Sequence, residues 1–172
     1  MIGYIIEFLK GQTVRQLRRR GAVIGENVKL MSCSIDKFTA FLIEIGDNVT
    51  ISNAIVLAHD ASTKNFLGYT KMQKTTIGSN VFIGMGSIVL EGSHIGNNVI
   101  VGAGTVVNGD IPDNSVVVGN PAKVVCSLDD YLEKNRVRMN DTVVIDKMCS
   151  EMSKEELQEL KARLGDKLGY ER

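Results

Sequence analysis

The segment Ile77–Val107, IGSNVFIGMGSIVLEGSHIGNNVIVGAGTVV, decides the fold. Within it Ile77, Ile83, Val89, Ile95, Val101 and Val107 recur every six residues without a break, and Gly78, Gly84, Gly96 and Gly102 follow four of them directly. Four positions beyond each aliphatic residue come Val81, Ser87, Ser93, Val99 and Thr105, all small or β-branched. The same phase appears upstream as Ile45, Ile51 and Leu57 and again as Ile24 and Leu30. A hexad of this kind holds one short strand and one corner. The aliphatic side chain points into a narrow interior, and Gly, Asn or Asp at the corner tolerates positive φ. The corners read GEN, GDN, GSN and GNN. Three hexads close one triangular turn, and stacked turns bury a continuous ladder of Ile and Val. The pattern predicts an all-β solenoid over residues 22–126, preceded by a short N-terminal helix (1–21) and followed by a helical appendage (127–172).

Composition agrees with a thin interior. Among 172 residues aromatics are 5% and Trp is absent, so the core must be aliphatic. Lys plus Arg equals Asp plus Glu, which removes a global electrostatic case for nucleic-acid binding. Cys33, Cys126 and Cys149 are odd in number and form no close-spaced pair, which suits a reducing compartment and excludes a zinc set built on CxxC spacing. No secretory signal or span-length apolar run is visible, so the cytoplasm is expected.

At the N-terminus, Ile2, Ile5, Ile6 and Leu9 follow helical spacing, and Arg15, Arg18, Arg19 and Arg20 make the following stretch basic. This reads as a helix packed over one end of the coil; contact with an anionic membrane surface is the minority reading. In the appendage, Ser127 precedes a helix from Leu128 to about Met139. Ser153-Lys-Glu-Glu156 is a capping box opening a second helix, with Leu157, Leu160, Leu164 and Leu168 as a seam and Glu159 and Arg163 spaced to pair. Such a seam serves packing more often than ligand binding.

Chemistry is expected where the repeat breaks. Between Leu57 and Ile77 about fourteen residues in excess of the register must leave the coil as a loop, 58–76, because a close-packed turn cannot absorb unpaired backbone groups. Long loops on regular scaffolds tend to carry function. This one opens with Ala58-His59-Asp60 and ends near Tyr69-Thr70-Lys71, and it holds one of only two histidines at its root. An imidazole there suits general-base work at neutral pH; the bland alternative is a histidine merely hydrogen-bonded in the loop. His94 falls at an outward hexad position and reads as a solvent or interface residue.

The hexads Ile77–Val107, followed by Asp110-Ile-Pro-Asp-Asn-Ser and Gly119-Asn-Pro-Ala-Lys123, resemble the hexapeptide-repeat acyltransferases, with the sugar and polysaccharide O-acetyltransferases as the most similar group. The resemblance spans about residues 22 to 126 and implies a left-handed parallel β-helix. The period alone does not give this hand, and the usual crossover rule favours the opposite one. The resemblance further implies a homotrimer with acetyl-CoA as donor, bound in clefts between subunits, and no metal. Carbonic anhydrases of this fold need three zinc-binding histidines, and this chain has two.

Carried over residue by residue, the resemblance makes His59 the catalytic base. The asparagine that accompanies it in sugar enzymes falls near Ser32, so Ser32, Ser34 and Asp36 are the replacement candidates. Asp60 and Tyr69 are candidate acceptor contacts. Phe82, Gly84, Met85, Gly102, Ala103 and Lys123 are the coenzyme candidates, with Lys123 offsetting phosphate charge. Many relatives have Lys before Asp-Ile-Pro; here the residues are Asn108-Gly109. The expected reaction is acetylation of a saccharide hydroxyl in surface-polysaccharide assembly. The alternatives are N-acetylation of an amino sugar or nucleotide-sugar, and a trimeric scaffold without activity.

Overall fold

The structure, a computed structural model, describes residues 13–172. The expected helix over residues 1–21 therefore lies largely outside the described residues; within them a short helix runs Val14–Arg19, capped by Thr13. The described residues divide into two units, one ending at Leu128 and the other Asp129–Arg172.

In the first unit, successive strands go to three parallel sheets in rotation. The first sheet stacks Val23–Ile24, Ile43–Ile45, Thr75–Ile77, His94–Ile95 and Asp110–Ile111. The second stacks Lys29–Met31, Thr50–Ser52, Phe82–Ile83, Ile100–Val101 and Ser115–Val118, and closes with Lys123–Ser127 running antiparallel. The third stacks Ser34–Ile35, Ile55–Val56, Ile88–Val89 and Val106–Val107.

Register aligns the hexad aliphatics. Ile24, Ile45, Ile77, Ile95 and Ile111 pair in turn along one sheet. Leu30, Ile51, Ile83, Val101 and Val117 do so along the next. All of these side chains but Leu30 are buried, and each buried one contributes about 1.5–3 kcal/mol relative to exposure.

One phase differs from the hexad count. Val56 rather than Leu57 continues the third ladder, between Ile35 and Val89. The cause is a corner shortened by one residue, where Asn53 adopts φ 42°. Val56 is buried while Leu57 is half-buried at the root of the loop.

The GEN, GDN, GSN and GNN corners, with Pro112-Asp113-Asn114, form an asparagine ladder. Asn27, Asn48, Asn80, Asn98 and Asn114 all sit at φ between 55° and 57°. Each amide Nδ2 donates to the Oδ1 of the next, at 2.9, 3.2, 3.0 and 2.9 Å. The preceding corner residue adds a second stitch: Asp47, Ser79, Asn97 and Asp113 each accept a backbone N–H from the turn before. Asn is the non-glycine residue that pays least for this conformation. Asn80→Ala is expected to destabilise by about 1–2 kcal/mol, since it loses both rungs and forces a Cβ residue into left-handed backbone. Asn80→Gly should lose less. Thermal melts in the order wild type, Gly, Ala check this; equal melting of the two variants would remove the conformational part of the argument.

The second unit begins within the helix Leu128–Asn140. Its helix Lys154–Leu164 carries the expected capping box: Ser153 N–H donates to Glu156 Oε2 at 2.6 Å, and Ser153 Oγ accepts from Glu156 N–H at 3.2 Å. Leu160 is buried, whereas Leu168 lies beyond the helix and is exposed. Glu156 also pairs with Lys147 at 2.9 Å. Two short parallel strands, Val143–Ile145 and Gly169–Glu171, were not legible in the hydrophobic pattern.

Candidate active site

Two excursions leave the coil near each other, and their roots are stitched together. The longer follows Val56. His59–Asp60 pairs antiparallel with Lys71–Met72, and between them a short helix, Lys64–Leu67, ends on Gly68 at φ 78°. The root is fixed to the coil by Thr75 Oγ1 donating to Leu57 O at 2.7 Å and Gln73 N–H donating to Ala58 O at 3.1 Å. The shorter excursion follows Ile35 and runs through Asp36 to the 3₁₀ turn Ala40–Leu42.

Asp36 joins the two. Its side chain is only 2% exposed, and its Oδ2 meets His59 Nδ1. The same oxygen accepts from Thr39 Oγ1 and from Ala58 N–H at 3.3 Å, while Oδ1 accepts from Phe38 N–H at 3.1 Å and Thr39 N–H at 3.3 Å. Burial pushes the Asp36 carboxyl up, but the hydrogen bonds from Thr39, His59 and the backbone outweigh it and hold the group below the usual carboxylate range. A carboxylate accepting at Nδ1 places the imidazole proton there and leaves Nε2 with its lone pair. The His59 side chain is 31% exposed.

Of the three partner candidates, the structure brings Asp36 to the imidazole. Ser32 is an exposed corner residue at φ 53°, and Ser34 is exposed in register with Ile55. Thr39, which the hexad pattern does not single out, also holds Asp36. A signal existed: residues 31 to 44 break the hexad phase between Leu30 and Ile45 as surely as the long loop does.

His59 opens on a cleft of about 650 Å³ shared with Asp60, Lys71, Glu91 and Asn108. Leu57 and Leu90 supply apolar lining. Lys71 Nζ lies 2.5 Å from Asp60 Oδ2 and 3.5 Å from Glu91 Oε1. The hydrogen bond from Lys71, helped by those from Ser62, draws the Asp60 carboxyl down to about 2, and Lys71 is raised in return. Glu91 and Asn108 were not singled out as site residues from sequence, since their hexad positions look ordinary.

The remaining candidates lie elsewhere. Tyr69 does not line the cleft; the residue is 80% exposed and its carbonyl accepts from Thr63 Oγ1. Phe82, Met85 and Ala103 are exposed on the second sheet and its following corner, and Lys123 is exposed in the closing strand. A Cβ on Gly84 would fall 2.6 Å from Ala103 N, and one on Gly102 would fall 2.7 Å from Val118 Cγ1. Close approach of successive turns therefore already accounts for these two glycines. His94 faces outward, with Nδ1 2.8 Å from Thr76 Oγ1. Among the described residues no group of three or more His, Cys, Asp or Glu could hold a metal ion, and no helix is long and apolar enough to cross a membrane.

Residues 74–109 match the family model described as bacterial transferase hexapeptide (six repeats). The chain is 40% identical over 126 residues to protein CapG of Staphylococcus aureus, covering 69% of this chain and 73% of that protein. Among solved structures, a maltose O-acetyltransferase from Clostridium difficile 630 is similar at 32% identity and TM-score 0.52, over 64% of this chain and 72% of that one. A galactoside acetyltransferase in complex with coenzyme A is similar at 25% identity and TM-score 0.54, over 74% and 78%. With the six-residue ladder, the stacked corners and these likenesses together, the chain belongs to the bacterial hexapeptide-repeat transferases.

Proposed function

We propose that this acetyltransferase moves the acetyl group of acetyl-CoA to a hydroxyl of a saccharide, a surface polysaccharide or its precursor, with His59 as general base. The observation that carries this reading is the Asp36–His59 pair, seated at the joined roots of two excursions and open on a cleft. His59 Nε2 takes the proton of the acceptor hydroxyl as that oxygen attacks the thioester carbonyl. It then returns the proton to the departing thiolate, so the imidazole ends as it began. Asp36 does not take the proton; it fixes the ring and its tautomer and stabilises the transient imidazolium.

The donor is acetyl-CoA, as the galactoside acetyltransferase bound to coenzyme A and the other acetyltransferase relatives support. The exposed Phe82, Met85 and Ala103 offer apolar and backbone contacts for its pantetheine arm, and Lys123 a cation for its phosphates. These residues do not line the His59 cleft. That separation supports a homotrimer of left-handed coils in which one subunit supplies His59 and its neighbour the coenzyme surface. The saccharide acceptor rests on the sugar acetyltransferases among the similar proteins and on CapG. The cytoplasm, where acetyl-CoA is made, is the proposed compartment.

The test is release of free thiol from acetyl-CoA across a panel of glycosides, amino sugars and nucleotide-sugars. Acceptor-dependent release with an ester product is expected. An amide product would transfer the reading to N-acetylation, and no release with any acceptor would favour the scaffold.

A further inference from the structure

The cleft beside His59 has an unbalanced charge. Two carboxylates, Asp60 and Glu91, face a single cation, Lys71, and the remaining polar neighbour, Asn108, is a neutral amide. Lys71 is already engaged on both sides. Asp60 is saturated: Oδ1 accepts from Ser62 N–H at 2.7 Å, and Oδ2 accepts from Ser62 Oγ at 2.8 Å as well as from Lys71.

Glu91 is different. Its side chain is 16% exposed, and Lys71 approaches its Oε1 at a distance long for a hydrogen bond. Oε2 carries no partner among the described residues. Among the described residues no buried side-chain oxygen or nitrogen lacks a hydrogen-bond partner, so Oε2 is reached from the cleft and is free to accept from a molecule bound there.

Taking the saccharide reading above as its basis, we infer that Glu91 and Lys71 form the acceptor subsite and select an uncharged sugar ring over an anionic one. A ring hydroxyl can donate to Glu91 Oε2, and a neighbouring ring oxygen can accept from Lys71 Nζ. Leu57 and Leu90 supply apolar surface for the ring's C–H faces. A uronate carboxylate or a diphosphate in the same place would have to displace one of the two acids from Lys71 and then sit beside the surplus negative charge. Like-charge juxtaposition of this kind is a strong means of rejecting partners. Asp60 acts one step further back, as the anchor that keeps Lys71 in position.

The experiment pairs neutral methyl glycosides (glucoside, galactoside, N-acetylglucosaminide) with the C6-carboxylate counterpart of each, read by thiol release. Wild-type enzyme is expected to show a kcat/KM about tenfold or more higher for the neutral member of a pair. Glu91→Gln keeps the shape and removes the charge. It should raise the uronide relative to its neutral partner by about tenfold and leave the KM for acetyl-CoA unchanged. A purely structural role for Glu91 would lower both members together, and that result, or equal use of uronides by wild type, overturns the inference. Ligand-observed saturation-transfer NMR on the same panel, with coenzyme A present, reads the selection without turnover. Preferential binding of neutral glycosides without transfer would remove the saccharide O-acetylation reading and leave the charge selection standing. Equal binding of uronides, or no binding of either, overturns the selection itself.

Discussion

Replacing His59 by alanine is expected to lower kcat/KM for acetyl transfer by about 10²- to 10⁴-fold while leaving the KM for acetyl-CoA near wild type. It should lower the thermal melt less than Asp36→Asn does, because Asp36 loses one hydrogen-bond partner but keeps those from Phe38, Thr39 and Ala58. The activity loss follows from the step the imidazole performs. Without it the acceptor oxygen must attack while still bearing its proton, or lose that proton to water. The small structural effect follows from where the ring sits. It is part-exposed at the mouth of a cleft rather than packed in the aliphatic ladder, so truncation opens no buried cavity. His94→Ala serves as the control, because that ring faces outward with Thr76 as its neighbour. A His59→Ala enzyme with undiminished turnover would sink the mechanism.

Asp36→Asn should reduce kcat by about 10²- to 10⁴-fold, again with little change in the KM for acetyl-CoA. An amide in place of the carboxylate can meet His59 through its NH₂, which favours the tautomer with the lone pair at Nδ1 and the proton at Nε2, the wrong atom for the base. Asp36 is thus a positioning residue, and ring-nitrogen NMR of His59 gives a readout that a merely structural role would not move. Wild type should show the proton on Nδ1, and the variant a shift toward Nε2. An unchanged tautomer with a large activity loss would contradict this account.

The same substitution has a stability consequence with a definite sign. Because the folded carboxyl titrates below its ordinary value of 3.8, its interactions stabilise the fold fully above that value. They are lost as pH falls through the lower, folded value. Asp36→Asn should therefore melt earlier than wild type near neutral pH, by about 1–3 kcal/mol for a broken buried network, and the gap should narrow in acid. A gap that stays constant from neutral pH to about pH 3 would mean that the carboxylate's charge contributes nothing.

The amino-acid sequence by itself determined the ladder. An aliphatic residue at every sixth position permits one periodic structure, and the Asn at each corner is the residue that a left-handed backbone tolerates best. Neither depends on distant residues, so both are written locally. The site of rupture was legible for the same reason: a spacing of twenty from Leu57 to Ile77 is not a multiple of six, and His59 stands at the break.

What only the tertiary structure decided is everything that needs two turns to be stacked. Asp36 and His59 are separated by more than a full turn, and no spacing rule singles out Asp36 over Ser32 or Ser34 until strand Ser34–Ile35 is laid beside Ile55–Val56. The one-residue shortening at Asn53, which replaces Leu57 by Val56 in the core, follows from the backbone conformation of a single corner. Glu91 reads in sequence as an ordinary corner neighbour. It becomes part of a site only because the hairpin between His59 and Met72 brings Lys71 to within 3.5 Å of it.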